Sequence, residues 1–195
     1  MRIAIFGAIS IWLSLVCTAS AQPTGEQSVT SCAWSQLPAN ARQDFLSAYM
    51  GSGKTTTTLE QQLALYNAAM TACTGRNDIP PILAQIAVVS QSIKHGSATK
   101  LATTTDITAA KLEAAWAKAP ADAVQCNLAK AAEQFGLKSN PCPDRKALFW
   151  FLSVLNIPSP ATNFPTVSEV QMYFAAKGQE QLAEEHIAKF IAGPR

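Results

Sequence analysis

Beyond about Thr30, apolar side chains recur at intervals of three and four residues, and no segment alternates apolar with polar residues as an edge-to-core strand would. That period commits the chain to helices, each with an apolar stripe that must be covered by another helix. The fold class that follows is all-α: a single compact bundle of about seven helices, stapled by two disulfides. With 195 residues, 48% of them hydrophobic and 14% charged, the chain has the apolar content to bury a core and is not intrinsically disordered. No internal repeat points to a solenoid.

Punctuation sets the expected helices. The first covers Pro38 to Met50 and stops at the Gly51 to Thr58 tract. The second opens on a capping box from Thr57 to Glu60, carries Leu59, Leu63, Tyr66 and Met70, and ends near Cys73 and Gly75. Asp78 is the expected cap of the third, with Pro80 and Pro81 in its first turn, Ile82, Ile86, Val89 and Ile93 on its buried face, and Gly96 as its stop. Asp106 is the expected cap of the fourth, which carries Leu112, Ala115 and Trp116. Pro120 opens the fifth, from Ala121 to Phe135, and Gly136 closes it. The sixth, around Ala147 to Leu155, is apolar on nearly its whole circumference and is expected at the centre of the bundle. A proline-rich connection from Ile157 to Pro165 leads to a second capping box, Thr166 with Glu169, and a last helix from Val167 to Ala192 with Gly178 as a candidate kink.

At the N-terminus, Arg2 precedes an apolar run from Ile3 to Cys17 and the small triplet Ala19, Ser20, Ala21, the pattern of a secretory signal cleaved after Ala21. The run is shorter than the roughly 20 residues a membrane-spanning helix needs, so no stable membrane insertion is expected after cleavage. Lipid attachment at Cys17 is disfavoured by the bulky Val16 before it. The expected organisation is a signal peptide over 1–21, a flexible leader over 22–31 and one helical domain over 32–195, in a periplasmic or secreted protein. Fifteen basic and 13 acidic residues leave a formal charge of +2, without a run of more than two like charges. A nucleic-acid partner is therefore not expected.

Cleavage removes Cys17 and leaves Cys32, Cys73, Cys126 and Cys142, an even set in a compartment that permits disulfides. Of the three connectivities, local pairing of Cys32 with Cys73 and of Cys126 with Cys142 is the simplest. There is no Cys-x-x-Cys pair, so a zinc, thioredoxin-like or covalent haem site is not indicated, and no metal or cofactor is expected.

No motif names a reaction. Gly51, Ser52, Gly53, Lys54 and Thr55 resemble the end of a phosphate-binding loop, but Ala48 occupies the place of its leading glycine and helix precedes it where a strand should. His95 is expected to cap the end of the third helix, and His186 to lie on the surface with neither Glu184 nor Glu185 one turn away. Glu113, Glu133, Asp144 and Glu169 are the acids nearest apolar residues, and each has a plain role in solubility or helix-dipole complementarity. No catalytic residue is nominated. The run Phe149, Trp150, Phe151 reads either as packed core or as one wall of an apolar ligand pocket.

Elimination leaves a non-enzymatic periplasmic or secreted protein that acts through protein–protein contact, as an inhibitor, immunity-type protein or adaptor, with another envelope or secreted protein as partner. The alternative is a carrier holding a small apolar ligand against the sixth helix. A hydrolase with an unrecognised carboxylate site is the second alternative.

Overall fold

The computed structural model describes residues 28–50, 59–158 and 163–193. The signal pattern, the Gly51 to Thr55 tract and the Thr57 cap lie outside the described residues. Within them the chain forms eight α-helices: α1 (Val29–Gln36), α2 (Ala39–Met50), α3 (Leu59–Thr74), α4 (Pro81–Thr104), α5 (Ala109–Ala117), α6 (Ala121–Phe135), α7 (Trp150–Val154) and α8 (Phe164–Ala192). A 3₁₀ turn, Arg145–Phe149, leads into α7, and no strand occurs among the described residues. No helix among them is long and apolar enough to cross a membrane.

The centre of the molecule is an antiparallel pair, α4 and α8, which share the most extensive interface. At 29 residues, α8 spans about 43 Å at 1.5 Å per residue. The aromatic sixth segment, expected at the centre, is instead the short 3₁₀ turn and α7. Pro143 precedes it and Asn156, at φ 52°, ends it, so it is too short to organise a bundle however apolar it is. Its all-round apolarity carries no period, and a period is what marks a long buried helix.

α4 runs through Gly96 to Thr104 and does not stop there as expected. Gly96, Ser97 and Ala98 are buried, so small side chains here serve packing and not termination. Its buried face is Leu83, Ala84, Ile86, Ala87 and Val88, while Ile82 is exposed, a rotation from the expected stripe. Asp78 bonds Arg76 at 2.6 Å and Asp106 bonds Lys111 at 2.6 Å; the positions before α4 and α5 belong to Pro80 and Thr108. In α8, Thr166 lies inside the helix, which begins after Asn163, and Glu169 pairs with Lys100 at 3.0 Å. Gly178 marks a helix crossing: a Cβ there would lie 2.7 Å from the Asn127 carbonyl oxygen of α6.

α1 replaces part of the expected leader. Ser28 accepts a hydrogen bond from the Ser31 amide at 3.2 Å, and Glu184 of α8 accepts from the Val29 and Thr30 amides at 3.2 and 2.6 Å. A carboxylate from a distant helix thus satisfies the free N–H groups of a short one. The Cys32–Cys73 disulfide ties α1 to α3, and Cys126–Cys142 ties α6 to the loop before the 3₁₀ turn, the local connectivity expected.

Besides a small cluster of Leu128, Ala131, Ala132 and Leu182, two larger apolar cores result. One gathers Trp34, Phe45, Tyr66, Met70, Ile86 and Ile187; the other gathers Leu101, Leu112, Phe151, Val170, Tyr173 and Phe174. Between them, where α4 and α8 pass mid-length, the buried side chains are polar: Ser90, Gln91, Gln179 and Glu180.

Candidate functional site: a closed ion network and an open basic groove

The polar belt is built on Glu180. Its Oε2 lies 2.8 Å from both Lys94 Nζ and Lys177 Nζ, and its Oε1 accepts from Gln91 Nε2 at 2.7 Å and from Thr30 Oγ1 at 3.3 Å. Glu113 of α5 completes the network, 3.1 Å from Lys177 and 3.6 Å from Lys94, and accepts a 2.6 Å bond from the Tyr173 hydroxyl. Two ammoniums therefore balance two carboxylates. Burial opposes ionisation of Glu180, yet the two lysines and their hydrogen bonds outweigh it, so its carboxyl is held below the usual carboxylate range. The same contest, with the Tyr173 bond added, lowers Glu113. Lys177 is disfavoured by burial but raised by Glu180 and Glu113, and burial together with the Glu113 bond raises the Tyr173 phenol. Glu180, Glu113 and Lys177 are thus each shifted toward their ionised forms.

Lys94, Lys177, Glu180, Tyr173, Gln91 and Thr30 were not singled out by sequence reasoning. The signal is present nonetheless: Tyr173, Lys177 and Glu180 follow helical spacing on the stripe that also holds Ile187, and Lys94 continues the line of Ala87 and Leu101. Charges of opposite sign on the apolar stripes of two helices predict a buried pair between them.

The other candidates are dispersed. Glu133 is exposed, Asp144 caps the 3₁₀ turn by accepting from the Lys146 amide at 2.9 Å, and Glu169 serves Lys100. His95 lies within α4 and not at its end, with one ring face stacked on Trp34 at 5.4 Å; burial and the adjacent Lys94 cation hold its pKa below the ordinary imidazole value. Ser97 and Lys100 make a Ser-x-x-Lys spacing on α4, but Ser97 is fully buried and Lys100 is bonded to Glu169. Among the described residues no three His, Cys, Asp or Glu side chains are placed to hold a metal ion.

The aromatic run does not share one surface. Phe151 is 2% exposed and stacks on Phe174 with ring centres 3.7 Å apart, Trp150 meets it edge-on at 5.3 Å, and Phe149 is 53% exposed. Of the three, Phe151 alone borders a small cavity with Leu148, Leu152, Val170 and Phe174, of about 70 Å³. Sites for drug-sized ligands run from roughly 300 Å³ upward.

A much larger depression, about 920 Å³ and open to solvent, lies between α6 and the loop that returns from Gly136 to the 3₁₀ turn. Gly136 at φ 64° turns the chain there, with the Leu137 amide bonded to the Ala132 carbonyl at 2.9 Å, and the Cys126–Cys142 bridge fastens the far end of the loop. Lys130, Lys138 and Arg145 line this groove with Glu133, over an apolar floor that includes Leu137 and Leu148. None of these four charged groups has an ion-pair partner among the described residues. No family model, curated protein or solved structure matches the chain.

Proposed function

We propose that this chain is an exported, non-enzymatic protein that works by binding another envelope or secreted protein. The observation that carries the reading is the contrast between the two polar sites: the charges around Glu180 are paired and balanced, whereas the groove beside α6 is open and its three cations have no ion-pair partner among the described residues. A partnered network stabilises the fold; unpartnered charge around an apolar floor is the composition of a binding surface. Two disulfides and the N-terminal secretory pattern support an oxidising compartment, periplasmic or extracellular.

Affinity capture of the full-length protein from the cells that make it, in non-reducing buffer and followed by native mass spectrometry, tests this. The expected species begins at Gln22, carries two disulfides and is joined to a discrete second polypeptide. A bare monomer that binds nothing, or a small apolar adduct lost on denaturation, would overturn the reading, the second outcome in favour of a carrier.

A further inference from the structure

Resting on that interaction reading, we infer that the groove beside α6 takes an extended acidic segment of the partner protein, with carboxylates on Lys130, Lys138 and Arg145 and an apolar side chain on the floor between them. Charge complementarity carries the assignment. Three cations line the groove against the single carboxylate of Glu133, on a chain whose formal excess is only +2. The apolar floor formed by Leu137, Leu148 and the Cys126–Cys142 bridge has no counterpart on a bare polyanion, but an acidic peptide supplies both carboxylates and apolar side chains.

The basic surface continues past the loop. On its other side a second depression, about 470 Å³, shares Lys138 and adds Lys189, with Glu185 as its acid. The wall between the two is held by a 2.6 Å bond from Gln125 Nε2 to the Asn140 carbonyl. A segment that crosses this wall enters both depressions, which share Lys138, Ser139 and Asn140.

The test is fluorescence anisotropy with a labelled short peptide of alternating Glu and Leu and with its Lys and Leu counterpart, on the full disulfide-bonded protein. The acidic peptide is expected to bind and the basic one not, with binding weakening as salt rises. The triple variant Lys130→Glu, Lys138→Glu, Arg145→Glu is expected to weaken it by about tenfold or more. The corresponding Gln variants give the same readout should charge reversal disturb folding. Equal binding of both peptides, no binding of the acidic one, or binding unchanged in the triple variant overturns the inference. So does dextran sulfate binding more tightly than the peptide through the same cations, which would assign the groove to an anionic polysaccharide. Partner capture that is as efficient for the triple variant as for the native chain overturns the groove's role and leaves the interaction reading standing; no capture by the native chain is the failure of that reading itself.

Discussion

Glu180 takes two ammoniums and two neutral donors in a nearly dry site, so its removal leaves two cations sharing the one, more exposed carboxylate of Glu113. Breaking such a pair on one side costs about 3 to 5 kcal/mol, more than the pair contributes relative to an apolar replacement of both sides. Glu180→Gln should therefore destabilise the protein by about 3 kcal/mol near neutral pH, read by chemical denaturation. The pH dependence has a definite sign. Because folding lowers the Glu180 and Glu113 carboxyls, their stabilisation is present above the ordinary carboxylate pKa and lost as pH falls through the lower folded values. Folding raises Lys177, so its share is present below the ordinary lysine pKa and lost as pH rises through the higher folded value. The gap between Glu180→Gln and the native chain should close as the pH drops below the carboxylate range; a constant gap would contradict the assignment.

Gly178 gives a second test at this scale. Alanine in a helix is ordinarily worth up to about 1 kcal/mol over glycine. Here its Cβ would lie 2.7 Å from the Asn127 carbonyl oxygen, a backbone atom that moves only if α6 moves. Gly178→Ala should destabilise by about 1 to 3 kcal/mol, and a thermal midpoint that rises on this substitution would show that the two helices do not cross so closely.

At the scale of elements, the groove depends on one loop. Residues 137–144 contain no regular structure and are held at one end by the αL turn at Gly136 and at the other by Cys126–Cys142, which closes a separation of 16 residues. Removing the bridge as Cys126→Ala, Cys142→Ala should cost about 3 kcal/mol by the loop-entropy account. Hydrogen exchange should accelerate in the loop while the amides at the centre of α4 and α8 remain protected, and uniform acceleration would mean that the loop is not a separable unit.

Legibility follows the same physics. α6 was readable to the residue because Pro120 and Gly136 each do one local thing, opening a helix and supplying a positive φ. Gly96 was misread because a glycine in a tight interhelical contact and a glycine at a helix end look alike until the neighbour is known. Local disulfide pairing was the simplest of three connectivities that the sequence left open, whereas α1 went unread although Ser28 caps it locally, because the amides of Val29 and Thr30 are satisfied by Glu184, a residue 154 positions from Thr30. The groove was invisible for the same reason: Lys130, Lys138 and Arg145 are ordinary surface cations in the sequence, brought together only when the loop folds back on α6.

For the whole molecule, the α4 and α8 pair joins two apolar cores through a belt of charge, and that belt fixes the register of the two helices: Lys94 meets Glu180 and Lys100 meets Glu169 only in one antiparallel alignment. The α6 loop face gathers three cations without ion-pair partners among the described residues. Site-directed photo-crosslinking in the cells that make the protein tests the central claim most directly. A photoreactive side chain is placed at Lys138 or Arg145 in the groove, and at the exposed Ala64 of α3 as the control. The account predicts a discrete protein adduct from both groove positions and none from Ala64. Adducts that are absent at the groove, or equally strong at Ala64, would contradict it.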